Sequence, residues 1–126
     1  MADAAPDTAP PAGPLLPEQA EVAIREGQVQ VVDVRQGQEH EAGHIPGDRH
    51  IPFDRLKDEI ETLDRDQPLV LYCRSGDRSG SAADALRASG WNANSIEGGL
   101  LDWVDRGLPI EPADGRVVEP SSLPPA

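Results

Sequence analysis

The stretch Cys73-Arg74-Ser75-Gly76-Asp77-Arg78-Ser79 holds the only cysteine of the chain among residues able to activate it. A thiolate, not a thiol, is the nucleophilic form of cysteine, and positive surroundings favour it. Arg74 and Arg78 lie close enough in sequence to favour that thiolate at Cys73. The segment follows an apolar run and precedes a helical pattern, so Cys73 is expected where a strand ends and a helix begins. A helix N-terminus has unpaired N–H groups and a partial positive charge, which stabilise an anion. Gly76 lets the backbone curl so that successive amides face one point, an anion-binding nest. The chemistry to expect is covalent catalysis on an anionic sulfur or oxyanion.

The bland alternative is an inert core cysteine at the end of a buried strand. It leaves Arg-Ser-Gly-Asp-Arg-Ser unexplained, because a strand-to-helix turn needs one cap and no pair of arginines. Spacing narrows the chemistry further. Cysteine-dependent phosphatases carry C-x5-R, a loop that spans a phosphate, whereas Cys73 to Arg78 is C-x4-R. The shorter ring suits one added sulfur better than a phosphoryl group. With no second cysteine, a covalent adduct on Cys73 must be released by an external acceptor, which excludes an intramolecular disulfide cycle.

The elements that would position this loop alternate along the chain. Pro17 suits a first helical turn, and Leu16, Ala20, Ala23 and Ile24 recur at helical spacing before Gly27. Residues 29–34 read as a strand, 36–42 as a short helix and 50–52 as a brief strand. Residues 53–63 read as a helix with Phe53, Leu56, Ile60 and Leu63 inward. The continuous apolar run Leu69-Val70-Leu71-Tyr72-Cys73 predicts a central parallel strand buried on both faces. Residues 78–89 follow as a helix with Ala82, Ala85, Leu86 and Ser89 inward, then a strand over 93–96 and a helix over 100–106. The alternation predicts an α/β fold, an open parallel sheet flanked by helices on both faces.

The chain has 126 residues with 11 Lys+Arg against 23 Asp+Glu, a net charge of −12, which suits neither nucleic acid nor an anionic membrane. No apolar run approaches the roughly 20 residues of a membrane span. Residues 1–14 lack a charged n-region and an apolar h-region, so no secretory signal and a cytoplasmic location are expected. Nine of the 13 prolines fall in residues 1–17 and 112–126. The reading is therefore a disordered Ala/Pro-rich tail over 1–14, one domain over 15–112 and a flexible Pro-rich tail over 113–126. Trp103 is expected to plug the core, and Trp91 to stay partly exposed.

Four ordered stretches give the chain a family resemblance. These are Val32-Asp33-Val34-Arg35; Glu39 through Gly43-His44-Ile45-Pro46-Gly47 to His50-Ile51-Pro52; the Cys73 loop; and Gly98-Gly99 with Trp103, Gly107 and Pro109. Together they resemble a single-domain rhodanese, a sulfurtransferase, over about residues 15–111. The resemblance implies a rhodanese-like parallel sheet of about five strands and makes Cys73 the nucleophile that carries sulfane sulfur as a persulfide. It implies that the amides of residues 74–79 (Arg74, Ser75, Gly76, Asp77, Arg78 and Ser79) bind the sulfur. Arg74 and Arg78 would attract the sulfonate of thiosulfate, and Ser79 would cap the helix or donate to sulfur. Asp77 is expected to point outward and pair with an arginine.

Asp33 and Arg35 match the family's Asp-x-Arg element, with Asp33 expected to hold the loop amides or Arg78. The alternative for this pair is a solvated salt bridge at the strand end. His44 and His50 are assigned structural roles, and no metal or cofactor is implied. The implied partners are small sulfur donors and acceptors (thiosulfate, cyanide, thiols) and a possible protein acceptor, with a monomer expected. The competing function is a sulfur-relay or protein-binding module that turns over small donors poorly.

Overall fold

The computed structural model describes residues 14–119. The N-terminal tail over 1–13 and the stretch 120–126 lie outside the described residues. In chain order the elements are α1 (Pro17–Arg25), β1 (Gln30–Asp33), α2 (Gly37–Ala42), β2 (Arg49–His50), a short helical segment, β3 (Leu69–Tyr72), α4 (Asp77–Ala88), β4 (Ala93–Ser95) and α5 (Gly99–Asp105). The four strands form one sheet in the order β2-β1-β3-β4, and every pairing is parallel. Leu15 adds a single parallel bridge to Ile96. The sheet thus has four strands and this one-residue extension, against the five or so implied by the resemblance.

The strand alternation sends successive side chains to opposite faces and so builds two cores. On one face Val32, Leu69, Leu71, Cys73 and Ala93 pack with Ala82, Ala83 and Leu86 of α4 and with Leu56, Ile60 and Trp91. On the other face Val31, Val70 and Tyr72 pack with Ala20 of α1, Ile45, and Leu100 and Trp103 of α5. Each fully buried Leu, Ile or Val contributes about 1.5–3 kcal/mol, so this double burial fixes β3 at the centre. Trp103 is buried as expected, and its Nε1–H donates to the Pro109 carbonyl at 2.8 Å.

Three local expectations are corrected. The helix expected over 53–63 is broken into a 3-10 turn (Phe53–Arg55), one α-turn α3 (Leu56–Glu59) and a second 3-10 turn (Ile60–Thr62). Phe53 is 47% exposed, so its side chain does not enter the core. In α4 the buried positions are Ser79, Ala82, Ala83 and Leu86, whereas Ala85 and Ser89 are exposed. The inward face is set three residues earlier than expected, which brings Ser79 to the sulfur. Trp91 is buried, covered by the guanidinium of Arg65 4.3 Å from its ring centre. Beyond residue 112 the chain still touches the domain: Arg116 N–H donates to the Ala42 carbonyl at 2.8 Å, and Val117 packs against the second core.

Candidate active site

Cys73 follows the last residue of β3, and α4 starts four residues later. The intervening turn is possible because Gly76 takes φ +103°, in the left-handed region that side-chain-bearing residues resist. Its conformation aims the Gly76 N–H at Cys73 Sγ, 3.1 Å away. The Ser79 N–H and the Ser79 hydroxyl approach the same sulfur, each at 3.4 Å. Ser79 is wholly buried, and its single hydroxyl proton also has the Gly76 carbonyl within 3.4 Å. The N–H groups of Arg74, Ser75, Asp77 and Arg78 bond to no acceptor among the described residues. Of the amides of residues 74–79, those of Gly76 and Ser79 therefore approach the sulfur, and the other four have no acceptor among the described residues. Cys73 is only 1% exposed, with apolar neighbours on its strand side and donors on its loop side.

The far wall of the loop is α5. Its Leu100 and Leu101 N–H groups donate to the carbonyls of Cys73 and Arg74 at 2.8 and 3.0 Å. Such an approach leaves no room for a side chain at Gly99, where a Cβ would lie 2.5 Å from the Arg74 carbonyl oxygen. The Gly98-Gly99 pair thus gains a physical role: it lets a helix start against the loop and turn the loop's carbonyls away from the sulfur.

The charged residues fall out differently from expectation. Arg78 does not face the loop as a free cation. Its Nη1 and Nη2 donate to the Glu39 carboxylate at 3.1 and 3.0 Å. The Glu39 hydrogen bond raises the Arg78 pKa, against the downward pull of burial. Glu39 is wholly buried and also accepts the Gln36 N–H at 2.9 Å. Arg74 is half-buried and makes no ion pair among the described residues, which leaves it as the uncompensated cation of the loop. Ser75 and Asp77 are exposed, and Asp77 forms no ion pair with an arginine among the described residues.

Asp33 touches neither the loop amides nor Arg78. Its carboxylate accepts the side chain of Arg35 at 2.8 and 2.7 Å and the Arg35 N–H at 2.9 Å. This is a salt bridge, but with both side chains fully buried it is not the solvated one considered as the alternative. Burial pushes the Asp33 carboxyl upward, and the hydrogen bonds and charge of Arg35 more than offset it, so the pKa is lowered. Arg35 also donates to the Gly43 carbonyl at 2.7 Å, tying β1 to the turn after α2. The pair supports the element that carries Glu39, and Glu39 is the residue that reaches the loop. The sequence places Glu39 at the start of the second family stretch without a role, and only the long-range contact shows that it reaches Arg78.

His44 and His50 each donate a ring N–H to a backbone carbonyl, that of His40 at 2.8 Å and that of Arg35 at 2.7 Å. These bonds brace the turn between α2 and β2. No helix among the described residues is long and apolar enough to cross a membrane.

The profile of the Rhodanese-like domain family matches residues 16–106. The chain is 41% identical over 101 residues to the thiosulfate sulfurtransferase GlpE of Pseudomonas paraeruginosa, covering 79% of this chain and 87% of that one. It is 40% identical over 88 residues to the HTH-type transcriptional regulator Rv0324 of Mycobacterium tuberculosis, covering 68% of this chain but only 38% of the regulator. In three dimensions it superimposes on a rhodanese-related protein of Thermoplasma volcanium with a TM-score of 0.73 at 28% identity, covering 78% and 96% of the two chains. With the parallel sheet, the strand-end cysteine and the glycine-dependent loop already described, these matches place the chain in the rhodanese-like domain family.

Proposed function

We propose that the chain is a sulfurtransferase that carries sulfane sulfur on Cys73. In the first half-reaction the Cys73 thiolate attacks the outer sulfur of thiosulfate. The S–S bond of the donor breaks, and sulfite leaves with its electron pair. Cys73 then holds a persulfide whose terminal sulfur is the anion. In the second half-reaction cyanide or a thiolate attacks that terminal sulfur, forming thiocyanate or a new persulfide, and Cys73 leaves as the thiolate.

The observation that carries this reading is the convergence of the Gly76 N–H, the Ser79 N–H and the Ser79 hydroxyl on one sulfur atom. Fixed donors of this kind stabilise negative charge without reorganising as it moves. The unpaired amides of Arg74, Ser75, Asp77 and Arg78 offer further donors for the terminal persulfide sulfur. Arg74 attracts the anionic donor, and Arg78, held by Glu39, fixes the first turn of α4. Asp33 and Arg35 act at one remove, through the turn that follows α2.

Steady-state formation of thiocyanate from thiosulfate and cyanide tests the proposal. Turnover that disappears in Cys73→Ser is expected. Absence of turnover with thiosulfate and with a low-molecular-weight persulfide donor would refute it.

A further inference from the structure

All three histidines of the chain stack in one place. The His40 ring lies 4.0 Å from His44 and 4.5 Å from His50, with interplanar angles of 13° and 14°. We propose that His40, His44 and Asp48 bind one divalent cation of the zinc class, at a site built without Cys73. A ring nitrogen of His40, one of His44 and a carboxylate oxygen of Asp48 lie within 4.8 Å of one another. Two imidazoles and a carboxylate are borderline donors suited to Zn²⁺, and three protein ligands with one open position are a recurrent zinc arrangement.

The hydrogen bonds around the cluster prepare the histidines for this role. A carbonyl can only accept, so His44 carries its proton on Nδ1 and keeps a lone pair on Nε2. His40 Nδ1 lies 2.9 Å from the Asp33 carboxylate and 3.6 Å from that of Asp48, which makes Nε2 the bare nitrogen, so the ring must turn to bring Nε2 onto an ion shared with Asp48. A ligating histidine that donates its second N–H to a carboxylate or a carbonyl is the usual supporting arrangement at metal sites. Glu111 Oε1, 3.8 Å from His44 Nε2, offers a further oxygen at the rim. The mutual backbone bonds of His44 and Glu111, at 2.9 and 2.8 Å, hold that edge together.

Charge supplies a second argument. Three carboxylates with almost no exposure, those of Asp33, Glu39 and Asp48, face two guanidiniums, Arg35 and Arg78. One negative charge is left over, and it falls on Asp48. Its neutral partner is the Tyr72 hydroxyl, which donates at 2.6 Å, and its other neighbour is His40 Nδ1 at 3.6 Å. A bound cation supplies the counter-charge.

Loading the site draws the ligand atoms together. Bonds of about 2.0–2.1 Å in a tetrahedron set ligand atoms about 3.3 Å apart, so the rings must rotate out of their parallel stack. The stretch His40-Glu41-Ala42-Gly43-His44 has the spacing of the H-E-x-x-H metalloprotease helix, but α2 ends at Ala42 and Glu41 is exposed. No hydrolytic role is assigned. The cation would instead lock the turn after α2, the helix that carries Glu39.

The test uses the full-length chain without a polyhistidine tag, stripped with a chelator and titrated with Zn²⁺ alone by calorimetry and with Co²⁺ by visible absorption. One ion per chain is expected in the wild type and in Cys73→Ser, with no thiolate-to-cobalt charge-transfer band. Zn²⁺ should raise the melting temperature of both. His44→Ala and Asp48→Asn should each weaken binding at least about tenfold; if His44→Ala fails to fold, Asp48→Asn decides. The proposal is overturned by absence of stoichiometric binding, by loss of binding in Cys73→Ser, or by affinity unchanged in Asp48→Asn.

Discussion

Replacing Glu39 by Gln isolates the contact that links the body of the domain to the sulfur loop. Glu39 is fully buried and grips Arg78 through two hydrogen bonds of 3.1 and 3.0 Å, while the Arg78 side chain is 30% exposed. Breaking a fully buried ion pair costs about 3–5 kcal/mol, and an exposed one contributes about 0.2–1 kcal/mol. A pair open to solvent on one side falls between, so Glu39→Gln is expected to destabilise by about 2 kcal/mol. For a domain of this size each kcal/mol shifts the melting temperature by about 4–8 °C, which makes the loss easy to read. The amide retains an acceptor for the Gln36 N–H, so the change is confined to the pairing. Urea denaturation of wild type, Glu39→Gln, Arg78→Gln and the double variant gives the coupling free energy directly. A coupling of about 1–2 kcal/mol is predicted. Strictly additive single effects would refute the claim that Glu39 anchors Arg78.

Gly76→Ala forces a Cβ into the left-handed region, at about 1–2 kcal/mol, and 3.4 Å from the Gly98 nitrogen. Sulfur loading should slow about tenfold or more as the Gly76 N–H turns from Sγ; loading at the wild-type rate would mean that amide is dispensable. Asp33→Asn leaves the Arg35 guanidinium buried without its anion, and a loss of about 3–5 kcal/mol is expected in chemical denaturation. Because the folded Asp33 pKa is lowered, the advantage of wild type over this variant should be complete above about pH 3.9 and fade as the pH falls below it. Tyr72, the single tyrosine, is shifted well above its ordinary pKa by burial and by the charges of Asp33 and Asp48. The unfolded chain therefore releases that proton first, so stability should decline above about pH 10, with phenolate absorbance appearing only as the chain unfolds. Phenolate forming in the folded protein near pH 10 would contradict this placement.

Local signals carried the fold because its decisive elements announce themselves locally. The unbroken apolar run ending at Cys73 reads as a strand covered on both faces, and β3 is that strand. The turn after it was legible from Gly76 and from the density of donors within seven residues. Pairings set by distant segments were not legible. Nothing in the spacing of Glu39 and Arg78, or of His40 and Asp33, tells that they meet across the end of the sheet. The same limit misplaced the inner face of α4: helical spacing admits Ala85 or Ala83 inward, and the need to aim Ser79 at the sulfur selects Ala83. Phe53 followed its hydropathy in the expectation, whereas the backbone there tightens into 3-10 turns that carry its ring outward.

Incubation of the purified full-length chain with thiosulfate, followed by intact mass and peptide mapping, tests most directly whether this loop carries sulfur. The predicted result is a gain of about 32 Da on the peptide containing Cys73, removed by cyanide or a thiol and absent from Cys73→Ser. An unchanged mass with thiosulfate and with a persulfide donor, or an adduct that persists in Cys73→Ser, would contradict it.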